Sequence, residues 1–330
     1  MNLPKKENHK RYKIILSGGE FPEEILSRED NNIDVENVNL KLILESISKN
    51  KTVSFCEREL EEILNSQGET DKLLSDLGIN INNSNFNNFS PREKFYEILK
   101  SLGPGKVKTS QPNISDFTKS LEGISNYDAV VISTISSKLS STYSTALLSL
   151  NELPESERKN VFVLDSKSVS KIVGLCAYNH LERIINNEAR EEFNDYYKEV
   201  FMRGLIFDLR YIDIGGRGDV LKPITNLMNT FKIIPLITLQ EGKVNLLKII
   251  KGEKKSLIAF KEEVVKELGE RKEFYNRAIL LYTGKNTRDK LKDVEEILSE
   301  KGIYAEYLCS DFVLGTHFGA ESFGIFLYKR

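Results

Sequence analysis

The sequence predicts an α/β protein built from two domains, with a mainly parallel sheet in the first and a mixed sheet in the second. Short apolar runs of strand length alternate with helical patterns over the first two thirds of the chain, which is typical of parallel βαβ units. The chain has 330 residues, more than a single hydrophobic core usually supports. Two domains are therefore expected, with their boundary between residues 167 and 168.

The first domain, residues 1–167, contains a series of short predicted strands. They are Tyr12–Leu16, Lys51–Phe55, Val107–Thr109, Ala129–Ser133 and Val161–Leu164. The last two are continuous apolar runs, as expected for strands that are buried on both faces. Apolar residues recur at helical spacing from Leu139 to Leu150 and predict a helix there, which Pro154 ends.

The second domain, residues 168–330, begins with a helix that contains Val169, Ile172 and Cys176. The spacing of apolar residues predicts further helices from Leu257 to Leu268 and from Leu291 to Leu298. The predicted strands are Leu205–Phe207, Lys232–Leu239, Val244–Ile250, Ala278–Tyr282, Tyr304–Leu308 and Phe323–Tyr328. The second and third of these strands are expected to form a hairpin, because the short segment between them contains a turn-forming glycine.

The composition gives no reason to expect a charged macromolecular partner or a membrane. There are 47 basic and 49 acidic residues, and the net charge of −2 does not favour nucleic acid. No apolar run approaches the roughly 20 residues of a membrane span, and the polar, basic amino terminus does not resemble a secretory signal. Three widely separated cysteines fit a reducing compartment, so we expect a cytoplasmic protein.

Motifs of several enzyme classes are missing from the sequence. It contains no Gly-x-Ser-x-Gly nucleophile elbow, and its three histidines and three cysteines show no metal-ligand spacing. Thr283–Thr287 resembles part of a phosphate loop, but it lacks the upstream glycine and the complete Gly-Lys-Ser/Thr ending. We therefore expect neither a metal nor a cofactor.

The first candidate site is Thr109-Ser110-Gln111-Pro112, where a predicted strand gives way to a helix. Pro112 keeps the preceding residue extended, so the helix begins beyond it with Asn113 as its N-cap. The hydroxyls of Thr109 and Ser110 are then expected at the carboxyl edge of the parallel sheet, where α/β proteins bind ligands. The alternative is that these residues only make the turn.

The second candidate site is the hydroxyl-rich segment from Ser136 to Tyr143, again between a strand and a helix. Free N–H groups at a helix N-terminus, together with the helix dipole, favour an anion such as a carboxylate or a phosphate. The alternative is redundant N-capping by several serines. If this segment and the first one follow strands of the same sheet, they meet at one place, and the residues alone indicate an anion there.

Two further segments place glycine beside a group that can bind an anion. Arg217 lies in Gly215-Gly216-Arg217-Gly218, where its guanidinium can reach a carboxylate or a phosphate. His317 lies in Gly315-Thr316-His317-Phe318-Gly319, before the last strand. The alternatives are a solvated arginine on a glycine turn and a histidine that only completes local hydrogen bonds.

These four segments, in this order, resemble the signatures of the DegV family of bacterial lipid-binding proteins. Thr109–Pro112, followed by Phe117, matches the first signature, and Ile135–Ser140 with Thr142 and Tyr143 matches the second. The segment Val163–Ser170 matches the strand-to-helix region that follows, and Gly215–Arg217 and Gly315–His317 complete the pattern. The resemblance extends from about Ser90 to the carboxyl terminus.

The resemblance implies a two-domain α/β protein that holds one long-chain fatty acid in a tunnel between its domains. It places the fatty-acid carboxylate at Thr109 and Ser140, with Ser141 beside them. It also implies a supporting head-group role for Ser110, Ser137, Arg217 and His317. Family members of this type serve a fatty acid kinase, which phosphorylates the bound carboxylate, so such a kinase is the expected protein partner.

The chain departs from the family's pattern near its amino terminus and around the head-group site. The family's first strand ends in Asp-Ser, which is missing from the amino-terminal region, and both Lys13–Ser17 and Thr52–Cys56 are candidates for that strand. If the second is right, Met1–Asn50 is an added segment. Ser141 and Thr134 replace a usual glycine and a usual histidine, and Phe318–Ser322 replaces a run that contains Thr-Gly-Pro-Gly.

The leading hypothesis is therefore a non-enzymatic carrier that binds a long-chain fatty acid and presents its carboxylate to a partner kinase. A second hypothesis is a phosphotransferase or hydrolase that acts on a small anion, with Arg217 and His317 as the working groups. A long apolar tunnel would favour the carrier, and a short polar cleft would favour the enzyme. A third hypothesis is a diverged member that keeps the fold as an interaction module.

Overall fold

A computed structural model describes residues 10–22, 32–47, 51–81, 85–188, 196–211 and 233–330. The strands are β1 Tyr12–Ser17, β2 Ile33–Asn37, β3 Lys41–Glu45, β4 Thr52–Cys56, β5 Val107–Ser110, β6 Ala129–Thr134, β7 Val161–Asp165, β8 Phe201–Ile206, β9 Ile233–Gln240, β10 Lys243–Lys251, β11 Arg277–Tyr282, β12 Tyr304–Cys309 and β13 Ser322–Tyr328. The helices are α1 Glu57–Asn65, α2 Gln67–Leu77, α3 Pro91–Leu102, α4 Ile114–Ser120, α5 Thr142–Asn151, α6 Glu155–Arg158, α7 Lys171–Ile185, α8 Glu253–Arg271, α9 Lys285–Arg288, α10 Lys292–Glu300 and α11 Phe312–Phe318.

The chain forms two compact units, and each unit is built from two stretches of sequence. Unit 1 contains the described residues of Met1–Val38 and Gln111–Tyr197, and unit 2 contains those of Asn39–Ser110 and Lys198–Arg330. The sequence predicts a single boundary between residues 167 and 168, whereas the chain changes unit after Val38, Ser110 and Tyr197. The difference arises because β3, β4 and β5 pair with one another and not with the strands of unit 1.

Unit 1 contains a four-stranded parallel sheet in the order β2-β1-β6-β7. On one face, Phe117 of α4 and Ala146 of α5 pack in one apolar cluster with Ile15 and Ile132. On the other face lies α7, whose Val173 carbonyl accepts a hydrogen bond of 2.9 Å from the Ser133 hydroxyl. Because helices cover both faces, β1 and β6 are buried along their whole length, as the continuous apolar run of β6 predicts.

Unit 2 contains a six-stranded mixed sheet in the order β10-β9-β8-β13-β11-β12. The neighbours β11 and β12 are parallel and the other neighbours are antiparallel. The predicted hairpin is confirmed as β9–β10, and its two turn residues Glu241 and Gly242 have φ of +49° and +77°, as a type I′ turn requires. The predicted fold class, α/β with a parallel sheet and a mixed sheet, is therefore confirmed.

A second sheet in unit 2 corrects the predicted position of two strands. The predicted strands Lys51–Phe55 and Val107–Thr109 exist as β4 and β5, but both pair antiparallel with β3. In β3, Leu42 and Leu44 are fully buried, while Ile43 between them and the flanking Lys41 and Glu45 are more exposed. This alternation is typical of an antiparallel sheet with one face on a core, so β5 does not belong to the parallel sheet.

The amino-terminal strand of the parallel sheet is β1. It lies between β2 and β6, so Lys13–Ser17 takes the place of the first strand and Thr52–Cys56 lies in the antiparallel sheet. Because β1, β2 and β3 all fall before residue 50, this part of the chain contributes strands to both units. It is not merely appended to them.

The described helices give no indication of a membrane span. None of them has both the length and the apolar character that crossing a bilayer requires.

Phe260 holds α8 against the mixed sheet and provides a test of this packing. It is 1% exposed and its ring meets that of Phe323 edge-on, with 5.2 Å between the ring centroids. Phe260→Ala is expected to lower the free energy of unfolding of unit 2 by about 3–5 kcal/mol, because it leaves a cavity in the core. Chemical unfolding measures the change, with the half-exposed Ile258→Ala of the same helix as control. Equal losses in the two variants would contradict the core position of Phe260.

Candidate functional site

The serine loop, Ser136–Ser141, connects β6 to α5 in unit 1. It turns tightly because the Ser136 carbonyl accepts hydrogen bonds from the N–H groups of Leu139 and Ser140, at 2.9 and 3.0 Å. The buried Ser140 hydroxyl lies 2.7 Å from Thr142 Oγ1 and accepts a hydrogen bond of 3.3 Å from the Thr142 N–H. Ser140 therefore lies at the beginning of α5, as the sequence predicts.

Asp165, at the end of β7, holds the serine loop in place. Its Oδ1 accepts hydrogen bonds from the N–H groups of Ser137 and Lys167, at 2.9 and 3.0 Å. Its Oδ2 accepts a hydrogen bond of 2.5 Å from the Ser137 hydroxyl. A buried carboxylate needs such donors, so the donors of Ser137 are directed at Asp165 in this structure.

Asp165 has no distinguishing signal in the sequence. It lies inside the segment Val163–Ser170, which the sequence predicts only as a strand followed by a helix. The signal that identifies it is its position at the carboxyl end of β7, directly beside β6 in the parallel sheet. Burial raises the pKa of the Tyr143 hydroxyl, and it raises the pKa of the Cys176 thiol to about 12. In both cases the negative charge of Asp165 adds a smaller increase.

One residue of the first motif, Gln111, is hydrogen-bonded to the serine loop. The exposed Ser141 hydroxyl donates a hydrogen bond of 2.7 Å to Gln111 Oε1. Gln111 is followed by Pro112 and by Asn113, which caps α4 as predicted: its Oδ1 accepts from the Asp116 N–H at 3.0 Å. The cap fixes where α4 begins, directly after Gln111, Pro112 and Asn113.

Thr109 and His317 meet in unit 2. Thr109 is in β5, where it is paired with Leu42 of β3, and His317 is in the last turn of α11. The distance from Thr109 Oγ1 to His317 Nε2 is 2.8 Å, and both residues are half-buried. A hydroxyl and an imidazole at this distance are hydrogen-bonded, and together they can donate to a carboxylate.

The structure brings the predicted site residues together in pairs. Thr109 meets His317, Ser141 meets Gln111, and Ser140 meets Thr142. Ser110 is exposed at the end of β5. The segment Gly215–Gly218, with Arg217, lies outside the described residues.

One premise of the predicted site is wrong. The Thr109 hydroxyl is expected at the carboxyl edge of the parallel sheet, where it would meet Ser140 if both residues follow strands of that sheet. Instead β5, which contains Thr109, lies in the antiparallel sheet of unit 2, and β6, which precedes Ser140, lies in the parallel sheet of unit 1. Their common role in binding therefore stays a prediction of the family resemblance.

Other polar groups in the described residues serve the fold. Both hydroxyls of the Thr283–Thr287 segment bind backbone carbonyls: Thr283 donates to Ser322 at 2.9 Å and Thr287 to Gly284 at 2.8 Å. His180 is buried in α7 beside the ring of Phe162. The described part of the chain contains no group of three His, Cys, Asp or Glu side chains that would hold a metal.

A family model identifies the chain. The model, described as an uncharacterised protein of the DegV family, matches residues 73–330. The chain belongs to the DegV family. The family inferred from four short segments is thereby confirmed, and the match begins before Ser90.

Relatives and solved structures agree with this assignment. A Thermotoga maritima protein named fatty acid-binding protein is 27% identical over 256 residues, which cover 72% of this chain and 82% of that relative. A fatty-acid-binding DegV family protein of Thermus thermophilus has a TM-score of 0.67 at 21% identity, covering 97% of this chain and 100% of that one. The B3 protein of the Streptococcus pneumoniae fatty acid kinase, loaded with linoleic acid, has a TM-score of 0.67 at 16% identity, covering 96% and 99%. At these identities, the two structures show a shared fold.

The role of Asp165 in holding the serine loop is testable by substitution. Asp165→Ala is expected to lower the free energy of unfolding of unit 1 by about 2 kcal/mol, because it leaves three part-buried donors without their acceptor. It is also expected to speed amide hydrogen exchange at Ser137 and Lys167. Glu157→Ala, which removes an exposed carboxylate from the same unit, is the control. Unchanged exchange at Ser137 in Asp165→Ala would refute this role.

His180 makes unit 1 sensitive to acid. Burial, with a smaller contribution from Arg183, lowers the pKa of His180 from about 6.5 to about 4. Between these values the unfolded chain binds the proton and the folded chain does not, so the free energy of unfolding falls as the pH drops through this window. Urea unfolding at several pH values should show a shallower pH dependence in His180→Leu than in the wild type. Identical slopes would contradict a buried, neutral imidazole.

Proposed function

We propose that this protein binds one long-chain fatty acid and acts as a carrier, not as a self-sufficient enzyme. The carboxylate is bound by Thr109, Ser140 and Ser141, with Ser110, Ser137, Arg217 and His317 in support. The observation that carries the proposal is the 2.8 Å contact between Thr109 and His317. It joins two family motifs that lie 208 residues apart in sequence, and it does so at half-buried positions.

The chemistry of these residues suits a carboxylate. A carboxylate that leaves water needs hydrogen-bond donors or a cation, or the energetic cost of burying its charge expels it. In this proposal the Thr109 hydroxyl, the His317 imidazole and the hydroxyls of Ser140 and Ser141 turn to donate to the carboxylate, and the Ser141 hydroxyl exchanges Gln111 Oε1 for it. Each of these groups lies in a segment fixed by its own hydrogen bonds, so little ordering is needed when the ligand binds.

The acyl chain supplies most of the affinity in this proposal. Burying one methylene contributes about 0.8 kcal/mol, so an acyl chain of roughly 16 carbons contributes on the order of 12 kcal/mol before the costs of binding. The fatty acids bound by the Thermus thermophilus and Streptococcus pneumoniae structures support this class of ligand. The apolar tunnel implied by the family resemblance stays a prediction.

The carrier presents the carboxylate to a partner kinase in this proposal. The similarity to the B3 protein of the Streptococcus pneumoniae fatty acid kinase supports a partner of this kind. The Thr283–Thr287 segment supports the same division of labour, because its hydroxyls bind its own turn and the neighbouring Ser322 carbonyl. The phosphoryl donor would then be bound by the partner.

Mass spectrometry of lipid extracted from the purified protein tests the ligand directly. We expect about one long-chain fatty acid per chain, together with uptake of palmitate or oleate by protein from which lipid has been removed. Protein that is reproducibly empty and that takes up neither fatty acid would refute the proposal. With fatty acid bound, the protein is expected to support ATP consumption by a purified fatty acid kinase, and without it the protein is not.

The head-group residues are tested by two substitutions that keep the shape of the side chain. Thr109→Val and Ser140→Ala each remove one hydroxyl and are expected to weaken oleate binding about tenfold to a hundredfold, the effect of one hydrogen bond to a charged group. Titration calorimetry measures the affinity. Thr52→Val in the same sheet as Thr109 and Ser144→Ala in α5 are matched controls, because both residues are exposed. Affinities equal to those of the controls would remove Thr109 and Ser140 from the head-group site.

A further inference from the structure

The helix that carries His317 is short and is held at its beginning by hydrogen bonds. Asp311 caps α11, with its Oδ1 accepting a hydrogen bond of 2.7 Å from the Leu314 N–H. The hydroxyl of Tyr96, on α3, lies 3.0 Å from the Ser310 carbonyl oxygen and 3.1 Å from that of Asp311. Tyr96 is 1% exposed, and burial raises the pKa of its hydroxyl well above the usual value. The hydroxyl therefore keeps its proton and donates to these carbonyls.

Tyr96 also touches α11 at Gly315, one turn into the helix. A Cβ atom at Gly315 would lie 2.1 Å from Tyr96 Oη and 2.5 and 2.6 Å from two of its ring carbons, Cε1 and Cζ. These distances are far inside van der Waals contact. Only glycine therefore allows α11 to approach Tyr96 this closely, which explains the first glycine of the Gly315–Gly319 motif.

The other end of α11 meets a second tyrosine. Gly319 has φ of +81°, and a Cβ atom there would lie 2.7 Å from Cδ2 of Tyr211. The Tyr211 hydroxyl in turn donates a hydrogen bond of 3.2 Å to the Leu99 carbonyl of α3. The turn that contains His317 thus lies between close contacts with two tyrosines. Tyr96 belongs to α3, and Tyr211 is hydrogen-bonded to α3.

We propose that Tyr96 is a positioning residue: through its contact with Gly315 and its hydrogen bonds at Ser310 and Asp311, it sets the place of α11 and holds His317 at hydrogen-bonding distance from Thr109. The proposal rests on the proposed function, because it concerns a residue of the head-group site. The test measures the titration of His317 itself, so the proposal can fail independently of fatty-acid binding.

The titration of His317 followed by NMR tests this role in the full-length protein. The chain has three histidines, so its imidazole signals are few, and His317→Gln assigns the relevant one. Thr109→Val gives the direction and size of the shift in the His317 titration midpoint when the hydroxyl partner is lost. Gly315→Ala is expected to move the His317 midpoint by about half to one pH unit in the same direction, the size of one hydrogen bond.

A second substitution at Tyr96 is expected to rescue this change. Leucine lacks the three atoms of Tyr96 that a Cβ at Gly315 would strike, so Gly315→Ala/Tyr96→Leu should recover more than half of the shift. Gly269→Ala is the control, because a Cβ there meets nothing within 4 Å. A His317 titration in Gly315→Ala equal to the wild type, or a shift that the double variant does not reduce, would overturn the proposal.

A further variant, Tyr96→Phe, and a parallel oleate titration complete the test of Tyr96. If Gly315→Ala does not fold, Tyr96→Phe keeps the ring and removes only the hydroxyl, and it should move the His317 midpoint in the same direction by a smaller amount. An unchanged midpoint in Tyr96→Phe would then refute the positioning role. In a parallel oleate titration, Gly315→Ala should lose affinity as Thr109→Val does. A wild-type protein that binds no fatty acid would defeat the proposed function, whereas the His317 titration would still decide the role of Tyr96.

Discussion

The hydrogen bond between Thr109 and His317 is the interaction on which the proposed binding role of both residues depends. Its 2.8 Å length leaves little tolerance, because such bonds weaken quickly with distance and angle. Neither residue sets this distance by itself. The pairing of β5 with β3 places Thr109, and the packing of α11 against α3 places His317. The geometry of a polar contact is therefore fixed by an apolar core.

The serine loop in unit 1 reaches a fixed geometry by a different route. Its anchor is a charge: Asp165 is buried and accepts from two N–H groups and one hydroxyl. The same charge constrains what the loop can bind, because two neighbouring carboxylates repel each other unless donors lie between them. Ser140 and Ser141 are not bonded to Asp165: the Ser140 hydroxyl lies beside Thr142 Oγ1 and the Ser141 hydroxyl donates to Gln111, and these neutral partners hold them less strongly than a charge would.

The sequence predicts the local structure of this protein better than its connectivity. Continuous apolar runs identify β6 and β7, and the glycine turn identifies the β9–β10 hairpin, because burial and turn chemistry act over a few residues. The pairing of β5 with β3 was not predicted. It depends on Leu42 and Leu44 reaching a core that includes Phe312, 268 residues beyond Leu44, and no local pattern records such a partner. The family resemblance assigns Thr109 and His317 to one head-group site, and the two side chains are in contact, but the resemblance does not indicate the sheet that brings them together.

The same distinction explains why Asp165 and Tyr96 were missed. A buried carboxylate at a strand end and a tyrosine on an amphipathic helix look ordinary in sequence, and each acquires its role from the backbone that lies against it. The role of Tyr96 depends on a glycine 219 residues away, counted from Tyr96 to Gly315. Hydrophobic burial is non-directional, so an acyl chain alone cannot orient its carboxylate. A carrier that must present the carboxylate of its ligand to a partner therefore needs polar turns with fixed positions. Close contacts at glycine can fix a short helix without adding polar residues that would compete for the ligand.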